Sequence, residues 1–519
     1  MESRRRVVVD VHAHLFNLRY WPVAGIVRRY VEKLFPVPAL WQAIAEALLK
    51  LGSMEEPALD GDWAFASARP FALHDASGST AAGGWSAESQ LASLLESATE
   101  EQVAKLIVSR LPDAVLMEPE LARLTTLATP DSLHRQLLPG SDRVPRAELE
   151  RRRDALATFL SDESNRRDGF LSFLARMCRN EIELARDLDA IHEQARLVVH
   201  HLLDLENAYF DDPPSYSIPR QIERMRNLMR WSGGKLLPFI GFDPFRNGGI
   251  EFVRSALRSG FAGVKMYPPS SFRAIGNVEI DRWTQKYGQT PGDEVDRRNF
   301  ELFKYCVAED VPIMAHCTPG GFQRSFSQPE GGTGQFSDPL FWRKVLEGGV
   351  EVDGQPVCLP TLRLSLGHGG GEGWLQPVRS FNASFAASCV KLCQDFRNVY
   401  CDLGHLAALA GNDPRPLGQL IENLKCVLQA ESDTPPRYSF FEKVMFGTDY
   451  YMPLHKGGNW RRYVREMLAV FDGTRELQPY AAGFAGENAL RFLSLRDYLG
   501  RCGSLLSVAE RTHLSALVR

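Results

Sequence analysis

Residues 10–14 read Asp10-Val11-His12-Ala13-His14 and complete a short apolar run, Val7–Val11. An apolar run that breaks abruptly into polar side chains reads as a buried strand delivering its end to a functional rim. The two histidines are two residues apart, so in extended backbone they leave the same face and can converge on one ion. Taken alone, the pair also fits two ordinary polar residues at a strand end.

Outward from this stretch the same pattern recurs, at Arg196–Leu203, Lys235–Gly241, Phe261–Tyr267, Val311–His316, Leu362–His368, Asn398–Leu403 and Lys443–Asp449, which makes eight runs in all. Stretches with helical periodicity separate them. Apolar strands alternating with helices predict a parallel sheet covered on both faces, and eight such units predict closure into an α/β fold of the (β/α)8 TIM-barrel type. An open doubly wound sheet is the alternative.

The spacing is regular except between the first and second runs, where most of the segment from Leu18 to Gln194 intervenes. A structureless loop of that length is incompatible with a compact domain. Within it Pro38–Leu51, Glu88–Leu111, Arg146–Leu160 and Gly169–Gln194 read as amphipathic helices, and Asp60–Ser86, rich in Gly, Ala and Ser, reads as loop. The expected organisation is a barrel formed by residues 1–17 and 195–495, a helical cap inserted at 18–194 over the active-site end, and a tail at 496–519. The tail's Leu505, Leu506, Leu514 and Leu517 predict that it packs on the barrel or on a partner subunit, which leaves a homodimer open.

Composition narrows the class. With 519 residues, 44% hydrophobic and 24% charged side chains and a formal charge of −4, the chain has the profile of a soluble globular protein with no basic surplus for nucleic acid. Arg4-Arg5-Arg6 is followed by an apolar run too short for a secretory signal, and no stretch is long enough to span a membrane, so a cytoplasmic, membrane-free protein is expected. The nine cysteines form no CxxC pair, which argues against a disulfide framework or a zinc ribbon and suits small core residues.

The chemistry sits where the runs end. The fifth ends in His316, the sixth in His368 and the eighth in Asp449, at the barrel end where enzymes of this fold place their catalytic groups. Several imidazoles and a carboxylate buried together without an ion would leave hydrogen bonding unsatisfied. A divalent metal resolves that conflict.

With these segments assembled, the chain resembles the amidohydrolase superfamily, most closely the amidohydrolase 2 family. The resemblance rests on DVHAH at 10–14, GVKMYPP at 263–269, PIMAHC at 312–317, SLGHGG at 365–370, FGTDYY at 446–451 and ENALRFLSL at 487–495. It implies that His12, His14, His316 and Asp449 hold metal, that Asp449 takes a proton from the attacking water, and that His368 either binds a second metal or donates to substrate. Lys265 decides the metal count, because in some branches the corresponding lysine is carbamylated and bridges two ions. A structural lysine paired with a carboxylate is the other reading, since a free ammonium there would repel cations.

The expected cofactor is one or two divalent ions, zinc foremost, with iron or manganese also suited to this ligand set. Tyr267, Arg273 and Tyr450 are candidates to meet substrate, Arg273 as a clamp for an anionic group. His200, His201, Asp204 and His405 are expected at the rim. The expected activity is hydrolysis of an amide, lactone, ester or thioester of a small-molecule substrate by a metal-activated water. The alternative is a one-metal decarboxylase of an aromatic or unsaturated acid, and an inactive barrel serving as a binding protein is a third reading.

Overall fold

In a computed structural model of the chain, β1 (Val8–Ala13) is buried at every position and lies beside β2 (Ala195–His201), whose inner residues are equally buried. The structure describes residues 6–22, 104–105, 108–109, 111, 146–161, 177, 179–208, 213–280, 290–321, 333–411, 413–453 and 460–518. Six more parallel strands follow in chain order: β3 (Leu236–Phe242), β4 (Gly263–Met266), β5 (Ile313–His316), β6 (Leu364–Gly367), β7 (Val399–Asp402) and β8 (Val444–Met445). Together they form one eight-stranded sheet in sequential order. Every neighbouring pair in it is parallel, as expected for strands joined by helical crossovers.

The last strand returns to the first. Val11 N–H donates to the Phe446 carbonyl at 3.1 Å, and an isolated parallel bridge joins Ala13 to Tyr450. The result is a nearly closed (β/α)8 barrel. The eighth run does not stay extended to Asp449 as its composition suggests. Asp449 adopts a left-handed φ of 55°, which no strand accommodates, so the ladder stops at Met445 and the chain turns across the barrel mouth.

Helices α1 (Arg146–Ser161) and α2 (Glu181–Ile191) lie between β1 and β2. The first matches the helix expected at Arg146–Leu160. Of the helix expected at Gly169–Gln194, residues 169–176 and 178 lie outside the described residues; α2 itself starts at Glu181, where Asn180 accepts from the N–H groups of Ile182 and Glu183 while Glu183 reaches back to the Asn180 N–H, a reciprocal cap. Pro38–Leu51 and Asp60–Ser86 lie outside the described residues, as does most of Glu88–Leu111. Helices α3 (Ile218–Trp231), α4 (Gly249–Ser259), α5 (Gly292–Ala308), α6 (Pro339–Glu347), α7 (Phe385–Asp395), α8 (Arg415–Asp433) and α9 (Trp460–Gly473) each follow one of the strands β2 to β8.

Inside the barrel Val9, Val11, Leu197, Val199, Leu237, Phe239 and Met314 form one apolar cluster that continues into Phe492, Leu495, Tyr498, Leu514 and Leu517. The C-terminal helices therefore close the barrel end opposite the rim formed by the C-terminal ends of the strands. They are fastened there by a buried Arg226–Glu510 ion pair and by Tyr498 donating to the Gly260 carbonyl at 2.7 Å. Leu506, Leu514 and Leu517 are buried as expected, but Leu505 is 46% exposed, because it lies on the short turn between two of these helices. The described cysteines are all free and mostly buried. Among the described residues no helix is long and apolar enough to cross a membrane.

His192, directly after α2, packs its ring edge-on against Phe446 with centroids 5.1 Å apart. Neither ring nitrogen has a hydrogen-bond partner, and burial pushes its pKa down from 6.5 to about 3. The unfolded chain therefore binds one more proton than the folded chain between those values. The neutral ring's contribution is complete above about pH 6.5 and is lost as pH falls towards 3. A His192→Phe variant, compared with the parent by urea unfolding across this window, is expected to show a pH slope shallower by about 1.4 kcal/mol per pH unit.

Candidate metal centre

The rim of the barrel gathers His12 from β1, His14 just after it, His201 from β2, Lys265 from β4, His316 from β5, His368 after β6, Asp402 from β7 and Asp449 after β8. All of them are buried. One ligand atom each from His12, His368 and Asp449 falls within 4.8 Å of the others, so this group could hold a metal ion. His14 joins it through Nε2, 3.1 Å from Asp449 Oδ1, and His12 Nε2 is 3.6 Å from the same oxygen.

The hydrogen bonds fix which nitrogens carry protons. His14 Nδ1 lies 3.0 Å from the His201 carbonyl, which can only accept, so neutral His14 keeps its lone pair on Nε2. His12 Nδ1 is 3.2 Å from both Asp402 oxygens, so it donates, and its Nε2 is the bare nitrogen. His316 Nε2 donates to the Gly320 carbonyl at 2.9 Å, which leaves Nδ1 to accept from His368 Nε2 at 3.1 Å. His368 Nδ1 then holds a lone pair with no partner.

The outcome is a set of acceptors facing one another. The bare Nε2 of His14 points at a carboxylate oxygen of Asp449 that itself has no aligned donor. Two lone pairs at 3.1 Å repel in a buried site. A second proton on His14 would relieve that contact and leave His368 Nδ1 unsatisfied. A cation satisfies both, and the residues present fit one.

Electrostatics favour the same state. Burial, with Lys265 adding to it, holds His12 well below the ordinary imidazole range, and His316 is pushed to about 3 for the same reasons. Burial, then His12, lowers His368 as well. These rings are neutral, the form that ligates metal. Burial would raise Asp449, and its carboxyl is held well below the usual range only with a proton on the His14 nitrogen that faces it, together with His405; with His14 Nε2 bare, a cation takes the place of that proton. Lys265 Nζ sits 2.9 Å from His12 Nε2, and burial brings its pKa down to about 8 against the pull of Asp402 and Asp449.

The expected site residues are thus placed unequally. His12, His14, His368 and Asp449 converge, with Lys265 on His12. His316 is adjacent but spends both nitrogens on Gly320 and His368. Tyr267 packs edge-on against the His316 ring at 4.9 Å. Tyr450 donates its hydroxyl to Asp187 of α2 at 2.7 Å, tying the inserted segment to the rim. Arg273 is committed to Glu279 of its own loop at 2.6 Å and stacks over Phe341 of α6 at 4.4 Å. Asp204 is taken by Arg246, through contacts of 2.6 and 2.8 Å.

Several groups were not singled out by the sequence. Asp402 ends its strand as His316 ends its own, and that shared position was the available signal. Asp10 lies inside the quoted motif: its carboxylate accepts from Thr448 Oγ1 at 2.6 Å, Thr448 N at 3.0 Å and His12 N at 3.1 Å. His405, read as a rim histidine, places Nδ1 2.5 Å from Asp449 Oδ2. His368, His405 and Asp449 all have positive φ, of 67°, 64° and 55°. Such backbone is uncommon for side chains other than glycine and gathers at functional sites.

No family model matches the chain, and no curated protein matches it. Among solved structures, one match is a probable 2-pyrone-4,6-dicarboxylic acid hydrolase from Acinetobacter baumannii with citric acid bound. It has a TM-score of 0.35 and 9% identity, over 60% of this chain and 88% of the other. A likeness that slight carries no argument about activity.

Removing the Asp10 carboxylate strands two buried N–H groups, those of His12 and Thr448. Asp10→Ala is therefore expected to lower unfolding free energy by roughly 3 kcal/mol in denaturant titrations, and Asp10→Asn, which keeps an acceptor, by clearly less.

Proposed function

We propose that the chain is a metal-dependent hydrolase of the amidohydrolase type, cleaving an amide, lactone, ester or thioester with water. The observation that carries this reading is the His14 lone pair held 3.1 Å from Asp449 Oδ1, with His14 Nδ1 already spent on a backbone carbonyl. His12, His14, His368 and Asp449 would hold the ion. His316 would join them on giving up the Gly320 carbonyl, as the family resemblance implies. A divalent cation bound there supplies Lewis acidity towards a carbonyl and lowers the pKa of water.

The chain's own groups do the rest. Asp449, ionised at neutral pH, accepts the proton of the attacking water through a carboxylate oxygen. His405 grips its other oxygen at 2.5 Å and holds that carboxylate in place. Tyr267, against His316, is positioned to line the substrate side. Lys265, brought to about 8, is the buried amine on which a carbamate could form, and only in that form would it bridge a second ion.

The compact donor set with an amine at Lys265 supports one ion. That count also suits a one-metal decarboxylase, the reading that carbon dioxide release would favour.

Protein purified without chelator and analysed by plasma mass spectrometry is expected to carry about one equivalent of divalent metal, lost in a His12→Ala control. Asp449→Asn is expected to lower turnover of whichever amide, lactone, ester or thioester is cleaved by about 10²- to 10⁴-fold. Two equivalents with an intact-mass gain of one carbon dioxide would assign a bridging carbamate to Lys265. Absence of metal after reconstitution with zinc, manganese or iron would remove the hydrolase reading.

A further inference from the structure

Asp402 ends β7, the strand whose rim offered only His405 as a candidate in the sequence. Its side chain is fully buried, and its hydrogen bonds all run to the metal centre or the turns that carry it. Both oxygens lie 3.2 Å from His12 Nδ1. Oδ1 also accepts the backbone N–H of His368 at 3.2 Å and of Gly404 at 2.9 Å.

These bonds exert three kinds of control. The first selects the His12 tautomer, because both Asp402 oxygens face Nδ1 and Oδ1 already accepts two backbone N–H groups, so the proton is kept on Nδ1 and Nε2 carries the lone pair, facing Lys265 Nζ. The second braces His368 where its backbone turns left-handed, at a φ of 67°. The third braces the turn that delivers His405 to Asp449 Oδ2.

The surroundings are cut to fit this carboxylate. A Cβ on Gly404 would lie 2.8 Å from Asp402 Oδ1, and one on Gly447 would lie 3.1 Å from the same oxygen and 3.0 Å from His12 Cβ. Neither position has room for a side chain unless Asp402 or His12 moves.

We infer that Asp402 is a positioning residue: one carboxylate that sets the His12 tautomer and braces the turns of His368 and His405, so that the donor set faces the cation ready-made. The inference rests on the metal reading and deepens it.

The test uses the full chain, stripped with chelator, and reads imidazole tautomers by long-range proton–nitrogen NMR. The His12 resonances are identified by their loss in a His12→Gln variant. In the parent, His12 is expected to be protonated on Nδ1 alone. In Asp402→Asn, an amide cannot accept all three donors without presenting its own NH2 to one of them, so the Nε2-protonated form of His12 is expected to appear. Zinc affinity, measured by chelator competition, is expected to fall about 10- to 100-fold. The unfolding midpoint of the stripped variant should move less than that of Asp10→Ala.

Gly404→Ala keeps the carboxylate but displaces it sterically, and it should shift the same His12 resonances in the same direction. An unchanged His12 tautomer in both variants overturns the inference. Failure of both to fold overturns it too, since Asp402 would then be a folding residue. Absence of zinc binding by the parent would sink the hydrolase reading, while the tautomers of the stripped proteins would still decide the role of Asp402.

Discussion

The Asp10 carboxylate joins the two ends of the barrel. It accepts the hydroxyl and N–H of Thr448 from the last strand's turn and the N–H of His12 from the first strand. The regular ladder of β8 extends only over Val444–Met445, and beyond it the Asp10 bonds share the seam with backbone bonds from Val11 to Phe446 and from His14 to Tyr450. His12 and His14 lie on one side and Asp449 on the other, and the bond from Asp449 N to the His12 carbonyl, at 2.6 Å, crosses it. The candidate metal centre thus lies on the line where the barrel closes. Burial raises Asp10 to about 7 against the opposing bonds from Thr448 and His12, a measure of how dry the seam is.

Around this seam the protein has concentrated acceptors and withheld protons. Backbone carbonyls and Asp402 consume the N–H of His14, His316 and His12, and burial keeps the deep imidazoles neutral. In water such an arrangement would simply be solvated. In a buried rim it is a stored repulsion, held by three left-handed residues and by hydrogen bonds from outside the ligand set. The opposite end of the barrel shows the contrasting solution, with an apolar plug from Phe492 to Leu517 and the charge of Glu510 paired to Arg226.

Much of this was legible in the sequence because barrel strands advertise themselves twice, by apolar runs and by the polar residue that ends each one. The order and positions of the eight strands followed from that pattern; of the four residues expected at its core, His12, His14 and Asp449 approach one another, whereas His368, expected only as a second ligand or a substrate donor, takes the place expected of His316. What the pattern could not carry was pairing. That His316 would be drawn to Gly320, that Arg273 would fold back on Glu279 and Phe341, and that Asp402 would bond His12 across the barrel are all tertiary facts. The early end of β8 was hidden for a related reason, since Phe446-Gly447-Thr448 reads as strand until the positive φ of Asp449 is known. In the inserted segment, Arg146–Ser161 matched its periodicity, and α2 begins at the Asn180 cap.

The most direct measurement is anomalous diffraction from crystals of the chain grown with zinc, collected on both sides of the zinc absorption edge. The account predicts one strong anomalous peak within bonding distance, about 2.0–2.2 Å, of His12 Nε2, His14 Nε2 and an Asp449 carboxylate oxygen, with His368 or His316 completing the shell. Density showing these groups in direct contact with a doubly protonated His14, and no anomalous peak among them at saturating zinc, would contradict it.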